Sequence, residues 1–150
     1  MRGIAEELVM QFKDERQKAL LNLIFTANWF RHLDTTRLLP YGLSPQQYNI
    51  LRILKGALPG RMSMNEVKDR MLDRSPNATR LADKLISKGL VDRTRCEQDR
   101  RVVYMSIARS GLDLLGRIEQ ATEGLMQELS MKLTEEEAHS LNIALDKLRN

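Results

Sequence analysis

The sequence predicts a mainly α-helical chain carrying one small β-hairpin, and three observations predict it. Apolar residues recur at three- and four-residue spacing through residues 4–37, 45–56, 111–129 and 135–148, which is the periodicity of a helix with one buried face. Two helix-start signatures, Ser63 with Glu66 and Ser75-Pro76, stand close together in the middle of the chain. Directly after them, Val91 to Arg95 and Val102 to Ile107 are rich in strand-forming residues and flank a charged tip, Cys96 to Arg101, so they should pair as a hairpin. With 150 residues and 42% apolar content, the chain is expected to form a single domain, 1–150, with a proper core.

The first long helix is expected over residues 4–37. Ile4, Leu8, Phe12, Leu20, Leu23, Ala27 and Phe30 recur at helical spacings, and no Gly or Pro follows until Pro40. Its N-terminal part, with Ile4, Leu8, Val9 and Phe12, needs cover from beyond its own subunit. Leu38 to Gly42 reads as a turn. Ser44 then caps a second helix with Pro45 at its first position, Tyr48, Leu51, Ile53 and Leu54 on its apolar face and an end near Gly56. Pro59-Gly60 marks a break, and a small strand near Arg61-Met62 is able to add a third rung to the hairpin.

Ser63 and Glu66 form a capping box for a short helix. Ser75-Pro76 opens a second, and Gly89 ends it, because a left-handed residue past a helix favours glycine. On that second helix Ala78, Leu81, Ala82 and Leu85 fall on one apolar stripe. Arg80 and Asp83 point the opposite way, with Asn77, Thr79 and Lys84 on the flanks. An outer face of Ser, Asn, Thr and Arg carries the side chains that hydrogen-bond base edges and phosphates in a DNA major groove. The hairpin adds Arg93 and Arg95 on one side of its first strand and Arg100 and Arg101 at its tip. It has the character of a wing, placed to reach an adjacent minor groove, with Asp99 as an orienting carboxylate for a guanidinium.

Two C-terminal helices follow. Leu112, Leu115, Ile118, Thr122, Leu125 and Leu129 define one; a capping box at Thr134-Glu135-Glu136-Glu137 opens the other, with Ala138, Leu141, Ala144, Leu145 and Leu148 inward. None of these terminal helices is needed to read DNA. They are expected to interdigitate with the same helices of a second copy, making 1–37 and 109–150 dimerisation segments around a reading module at 43–107. A two-fold homodimer would set its two reading helices about 34 Å apart, on a pseudo-palindrome with half-sites about 10 base pairs apart.

Composition narrows the function. An excess of 24 Lys and Arg over 20 Asp and Glu, a net charge of +4, mildly favours a polyanionic partner, and the arginines cluster between Arg70 and Arg101. Cys96 is the only cysteine, which suits a reducing compartment and excludes a thiolate zinc site. Ala5-Glu6-Glu7-Leu8 interrupts any signal-like run, and Ala19 to Phe30 is about half the length of a bilayer span, so no membrane is expected and the location is cytoplasmic. His32 and His139 lie in separate helices, and no phosphate loop or nucleophile motif is present; an enzyme and a cofactor are not expected.

The run Leu43-Ser44-Pro45-Gln46-Gln47, the stretch Ser75 to Arg93 with Lys88-Gly89-Leu90-Val91-Asp92-Arg93, then Asp99-Arg100-Arg101 and Gly111, resembles the MarR family of bacterial winged helix-turn-helix transcription factors. The likeness covers roughly residues 43 to 111 at motif level. It implies a homodimer, with the helix from Ser75 in the major groove and a wing arginine in the minor groove. It also implies small anionic or aromatic effectors binding between the dimer helices and the winged module, where Trp29, Phe30, His32 and Tyr48 are candidate lining residues. One departure is visible. Where family members usually place Thr before the penultimate helix, this chain has Ala108, which removes an N-cap hydrogen bond worth about 1 kcal/mol and puts that helix start in question.

The residues expected to contact DNA are therefore Ser75, Asn77, Thr79, Arg80, Lys84, Arg93, Arg95, Asp99, Arg100 and Arg101. Two other readings remain. A winged helix can dock a partner protein, although arginines around one hairpin suit phosphates better than a mixed protein surface. The regulator can alternatively be redox-responsive, because arginines beside Cys96 would lower its thiol pKa at an accessible tip.

Overall fold

The computed structural model describes residues 3–73, 77–95 and 102–150. Seven helices and a three-stranded sheet succeed one another among them: α1 (Ile4–Leu8), α2 (Glu15–Leu38), a 3-10 turn (Leu39–Tyr41), α3 (Pro45–Gly56), β1 (Met62–Ser63), α4 (Met64–Arg70), α5 (Ala78–Ser87), β2 (Val91–Arg95), β3 (Val103–Ile107), α6 (Arg109–Ser130) and α7 (Glu135–Arg149).

The expected 4–37 helix is two helices. The Asp14 side chain accepts from the Gln17 amide at 2.8 Å, and the Gln17 side chain accepts from the Lys13 amide at 2.7 Å, so α2 has its own N-terminal cap and begins at Glu15. Val9 leaves α1 in a left-handed conformation with φ 50°. Absence of Gly and Pro was a poor guide here, because a polar cap ends a helix by satisfying its orphan amides locally. Ile4 is buried within its own chain, whereas Leu8 and Val9 are exposed.

Three other capping signals hold. Ser44 with Gln47, Ser63 with Glu66 and Thr134 with Glu137 each form a complete capping box at the start of α3, α4 and α7. Gln47 is buried, and its side chain accepts from the Ser44 amide at 3.1 Å. The Glu66 carboxyl is held below the ordinary carboxylate value by hydrogen bonds from the Ser63 backbone and side chain.

One core binds α2's C-terminus, α3, α4, α5, the sheet and the first half of α6. Leu38, Ile50, Leu51, Leu54, Val67, Leu85, Leu115 and Ile118 are fully inaccessible within it. The sheet runs in the order β1-β3-β2, all antiparallel. Met62 opposes Met105 in the short third rung, and Val91 opposes Ile107 at the base of the hairpin. The rung lies at Met62–Ser63, one residue later than expected, and β3 starts at Val103 instead of Val102.

The helix start at Ala108 needs no hydroxyl. Ala108 donates its amide to the Leu90 carbonyl at 3.1 Å, and α6 begins at Arg109 without a side-chain cap. Gly111 makes this approach possible, because a Cβ there would collide with the same Leu90 carbonyl and with Ile107 Cγ1.

Beyond Ile118 the C-terminal helices leave the core. No α7 residue is buried; Ala138 and Leu145 are half-buried, and Leu141, Ala144 and Leu148, expected inward, are exposed within this chain. On α2, Leu20, Leu23, Ile24, Trp29 and Phe30 are likewise exposed. A single chain has nothing to pack against these stripes. Among the described residues, no helix is long and apolar enough to cross a membrane.

Candidate nucleic-acid interface

Helix α5 is held on three sides. Ala78, Ala82 and Leu85 are buried in the core, and Leu81 is half-buried beside them. At the C-terminal end Gly89, with φ 67°, donates to the Ile86 carbonyl and Leu90 donates to the Leu85 carbonyl, the paired bonds of a Schellman motif. Lys88 Nζ then donates to the Gly42 carbonyl at 2.6 Å, tying the end of α5 to the corner between α2 and α3. With its inner face so fixed, α5 exposes Thr79, Arg80, Asp83 and Lys84, and Asn77 is exposed at its N-cap position. The helix begins at Ala78; Ser75 and Pro76, expected to open it, lie outside the described residues.

Register decides which way the hairpin arginines point. Arg93 opposes Met105 and Arg95 opposes Val103, so both share the sheet face of Val91 and Met105, the face turned toward the helices. Arg93 accordingly meets α5, its Nη1 lying 3.8 Å from Asp83 Oδ1, with both side chains about half-exposed. Asp92, Thr94, Tyr104 and Ser106 occupy the reverse face, where the Arg61 guanidinium stacks 4.5 Å from the Tyr104 ring centroid. Asp99, Arg100, Arg101 and Cys96 lie outside the described residues.

Between α4, α5 and the sheet is an open cleft of about 430 Å³. Its walls carry Thr79 and Asp83 from α5, Arg93 from β2, and Asn65 and Lys68 from α4. Asn65 and Lys68 were not anticipated. Their signal was available, since residues three apart on a short helix share one face, yet nothing in the sequence says that this face meets α5. Taken together, α5 and the side of β2 that faces it present four cations, Arg80, Lys84, Arg93 and Arg95, against one carboxylate, Asp83, with Asp92 on the reverse face of the sheet. Such a surface suits a phosphate backbone, and the short polar side chains beside it suit base edges. No group of three or more His, Cys, Asp or Glu arranged to hold a metal ion occurs among the described residues.

A second concavity, about 690 Å³, opens between α2, α3 and α6. Phe30 and Tyr48, two of the four candidate effector-lining residues, line it together with Arg37, Arg52, Ile53 and Met126. Trp29 and His32 do not line it. Trp29 is nearly half-exposed and meets the Phe30 ring edge-on at 4.8 Å, and His32 is exposed, because α2 turns both away from α3. Arg37 stacks on Tyr48 at 4.8 Å while donating to Asp34 at 2.7 Å.

The profile of the MarR family matches residues 41–102, the span from the end of the 3-10 turn through the hairpin tip. The HTH-type transcriptional regulator PapX of Escherichia coli is 28% identical over 108 residues, covering 72% of this chain and 66% of PapX, just under two thirds of that relative's length. Among solved structures, a MarR transcription factor from Planctomyces limnophilus is 34% identical with a TM-score of 0.69, covering 92% of this chain and 99% of that one. A mutant MarR from Escherichia coli complexed with operator DNA is 28% identical with a TM-score of 0.72, covering 87% of this chain and 93% of that one. These relatives are transcriptional regulators, not enzymes. With its mainly helical frame, three-stranded wing sheet and matched sequence, the chain belongs to the MarR family of winged-helix proteins.

Proposed function

We propose that the protein is a cytoplasmic, sequence-specific double-stranded DNA-binding transcriptional regulator of the repressor type, acting as a homodimer on a pseudo-palindromic operator. One observation carries the reading: α5 has its apolar stripe in the core and its Thr79-Arg80-Lys84 face in solvent, beside the exposed Arg93, which meets Asp83 of α5, with the exposed Arg95 on the same sheet face. The likeness to a MarR bound to operator DNA supports it. On this reading Ser75, Asn77, Thr79, Arg80 and Lys84 enter a major groove, Arg93 and Arg95 reach phosphates at its edge, and Asp99, Arg100 and Arg101 serve the minor groove.

Surface area supports the dimer. The chain exposes 11371 Å², whereas a compact monomer of its mass exposes about 7,800 Å² by the usual scaling. Large apolar side chains exposed on α2 (Leu20, Leu23, Ile24, Trp29, Phe30) and on α7 (Leu141, Ile143, Leu148), the segments proposed to dimerise, are what a second copy would cover. The α2–α3–α6 cleft, with Tyr48 beside Arg37 and Arg52, suits a small aromatic or anionic effector whose binding releases DNA.

A salt-dependent shift assay on the DNA upstream of the coding region tests this. Site preference together with a steep loss of affinity as salt rises is expected. A salt-independent interaction, or none, overturns the DNA reading in favour of a protein-docking module.

A further inference from the structure

Glu119 on α6 accepts from Arg52 Nη1 at 2.6 Å and from Lys55 Nζ at 2.9 Å, both on α3. The partners stand 67 and 64 positions away in sequence, so the cluster is tertiary. Among the described residues, every other ion pair joins residues three or four apart, except Arg93 with Asp83, which lies inside the winged module. This cluster is thus the charged link between that module and the C-terminal helices. Its place on α6 matters as much as its chemistry. Ile118, one residue earlier, is the last buried position on α6, and from Glu119 onward no residue of the helix is fully buried, with Thr122, Leu125 and Leu129 half-buried. The cluster sits where full burial of α6 ends.

We propose that Glu119, Arg52 and Lys55 are positioning residues that set the angle at which α6 leaves the winged module, and through it the separation of the two reading helices in the dimer. The inference rests on the DNA-binding homodimer proposed above. Leverage is what gives three surface charges an effect. The part of α6 beyond Glu119 is about 16 Å long, so a tilt of about 10° displaces its end by about 3 Å, close to one base step of DNA. One carboxylate held by two cations restrains that tilt in two directions, because displacement that favours one bond lengthens the other. The Glu119 carboxyl lies below the ordinary carboxylate value, chiefly through the Lys55 hydrogen bond, so the link is fully charged at neutral pH.

The test uses full-length wild type, Glu119→Gln, and the charge-swapped Arg52→Glu/Lys55→Glu/Glu119→Arg. Each is titrated against upstream operator DNA with native half-site spacing and with one base pair removed or added, at several salt concentrations. Hydrogen exchange over 45–56 and 109–130 is followed on the free proteins. For Glu119→Gln the expected result is about three- to tenfold weaker binding at native spacing, a flattened spacing preference, an unchanged salt slope and faster exchange in both segments. The charge-swapped protein is expected to regain the spacing preference. An unaltered spacing preference in Glu119→Gln overturns the inference alone, as does a reduced salt slope in the charge-swapped protein, which would put Arg52 and Lys55 on phosphates. A wild type that shifts no duplex overturns the DNA reading and this inference with it.

Discussion

Arg93 and Asp83 face each other across the gap between β2 and α5, guanidinium to carboxylate at 3.8 Å. The pair joins the hairpin to the proposed reading helix, and it places one negative charge in a surface that is otherwise cationic. At this distance and exposure its stabilising effect is small, below about 1 kcal/mol. Its electrostatic effect on a polyanion is larger. Asp83→Asn is expected to leave the melting temperature nearly unchanged and to tighten binding to nonspecific duplex severalfold at low salt, narrowing the gap between operator and nonspecific DNA. Paired titrations on matched and scrambled duplexes measure this, and weaker nonspecific binding would contradict it.

On the proposed reading, Arg80 serves base recognition in the major groove and Arg101 serves the minor groove, so their variants should differ. Arg80 lies on the exposed face of α5, so Arg80→Ala is expected to cost about 1–3 kcal/mol on the operator and to blur preference at one or two positions. Arg101→Ala, between β2 and β3 in the sequence, is expected to weaken all duplexes more evenly. Equal, full affinity in both variants would place the interface elsewhere.

Gly111 is a steric requirement of the α6 start. A methyl group there meets the Leu90 carbonyl and Ile107 Cγ1, so Gly111→Ala is expected to destabilise the fold by about 1–3 kcal/mol, despite alanine's better helix propensity. Urea denaturation reads the change; a stabilised variant would show that the junction yields freely.

Ile24 is 56% exposed on α2 and Leu141 45% exposed on α7, although both are large and apolar. Ile24→Glu combined with Leu141→Glu is expected to yield monomers in sedimentation at micromolar concentration, with operator affinity reduced by two or more orders of magnitude through loss of the second half-site. Dimers of undiminished affinity would rule out these helices as the contact.

Acid should release the Glu119 link. Its folded pKa lies below that of an ordinary carboxylate, so its contribution is fully present above the ordinary value and is lost as pH falls through the lowered folded one. The stability difference between wild type and Glu119→Gln is therefore expected to be constant near neutrality and to vanish in strong acid. Thermal melts across the carboxylate range record it, and a difference that grows on acidification would give the wrong sign.

Sequence alone settled what neighbours along the chain settle. The cap at Ser44, the capping boxes at Ser63 and Thr134, the left-handed stop at Gly89 and the apolar stripe of α5 depend on residues within one or two turns, and each was readable. The hairpin was readable too, since two strand-prone runs a few residues apart pair with little loss of loop entropy. What tertiary structure decided were the relationships between distant segments. Register turned Arg93 toward Asp83, packing brought Asn65 and Lys68 into the α5 cleft, and α3 met α6 where Glu119 binds Arg52 and Lys55. The same holds for exposure. The two C-terminal helices have one-sided apolar patterns in sequence, but whether Leu141 or Leu148 is covered depends on which surfaces stand opposite, and periodicity cannot specify a partner surface.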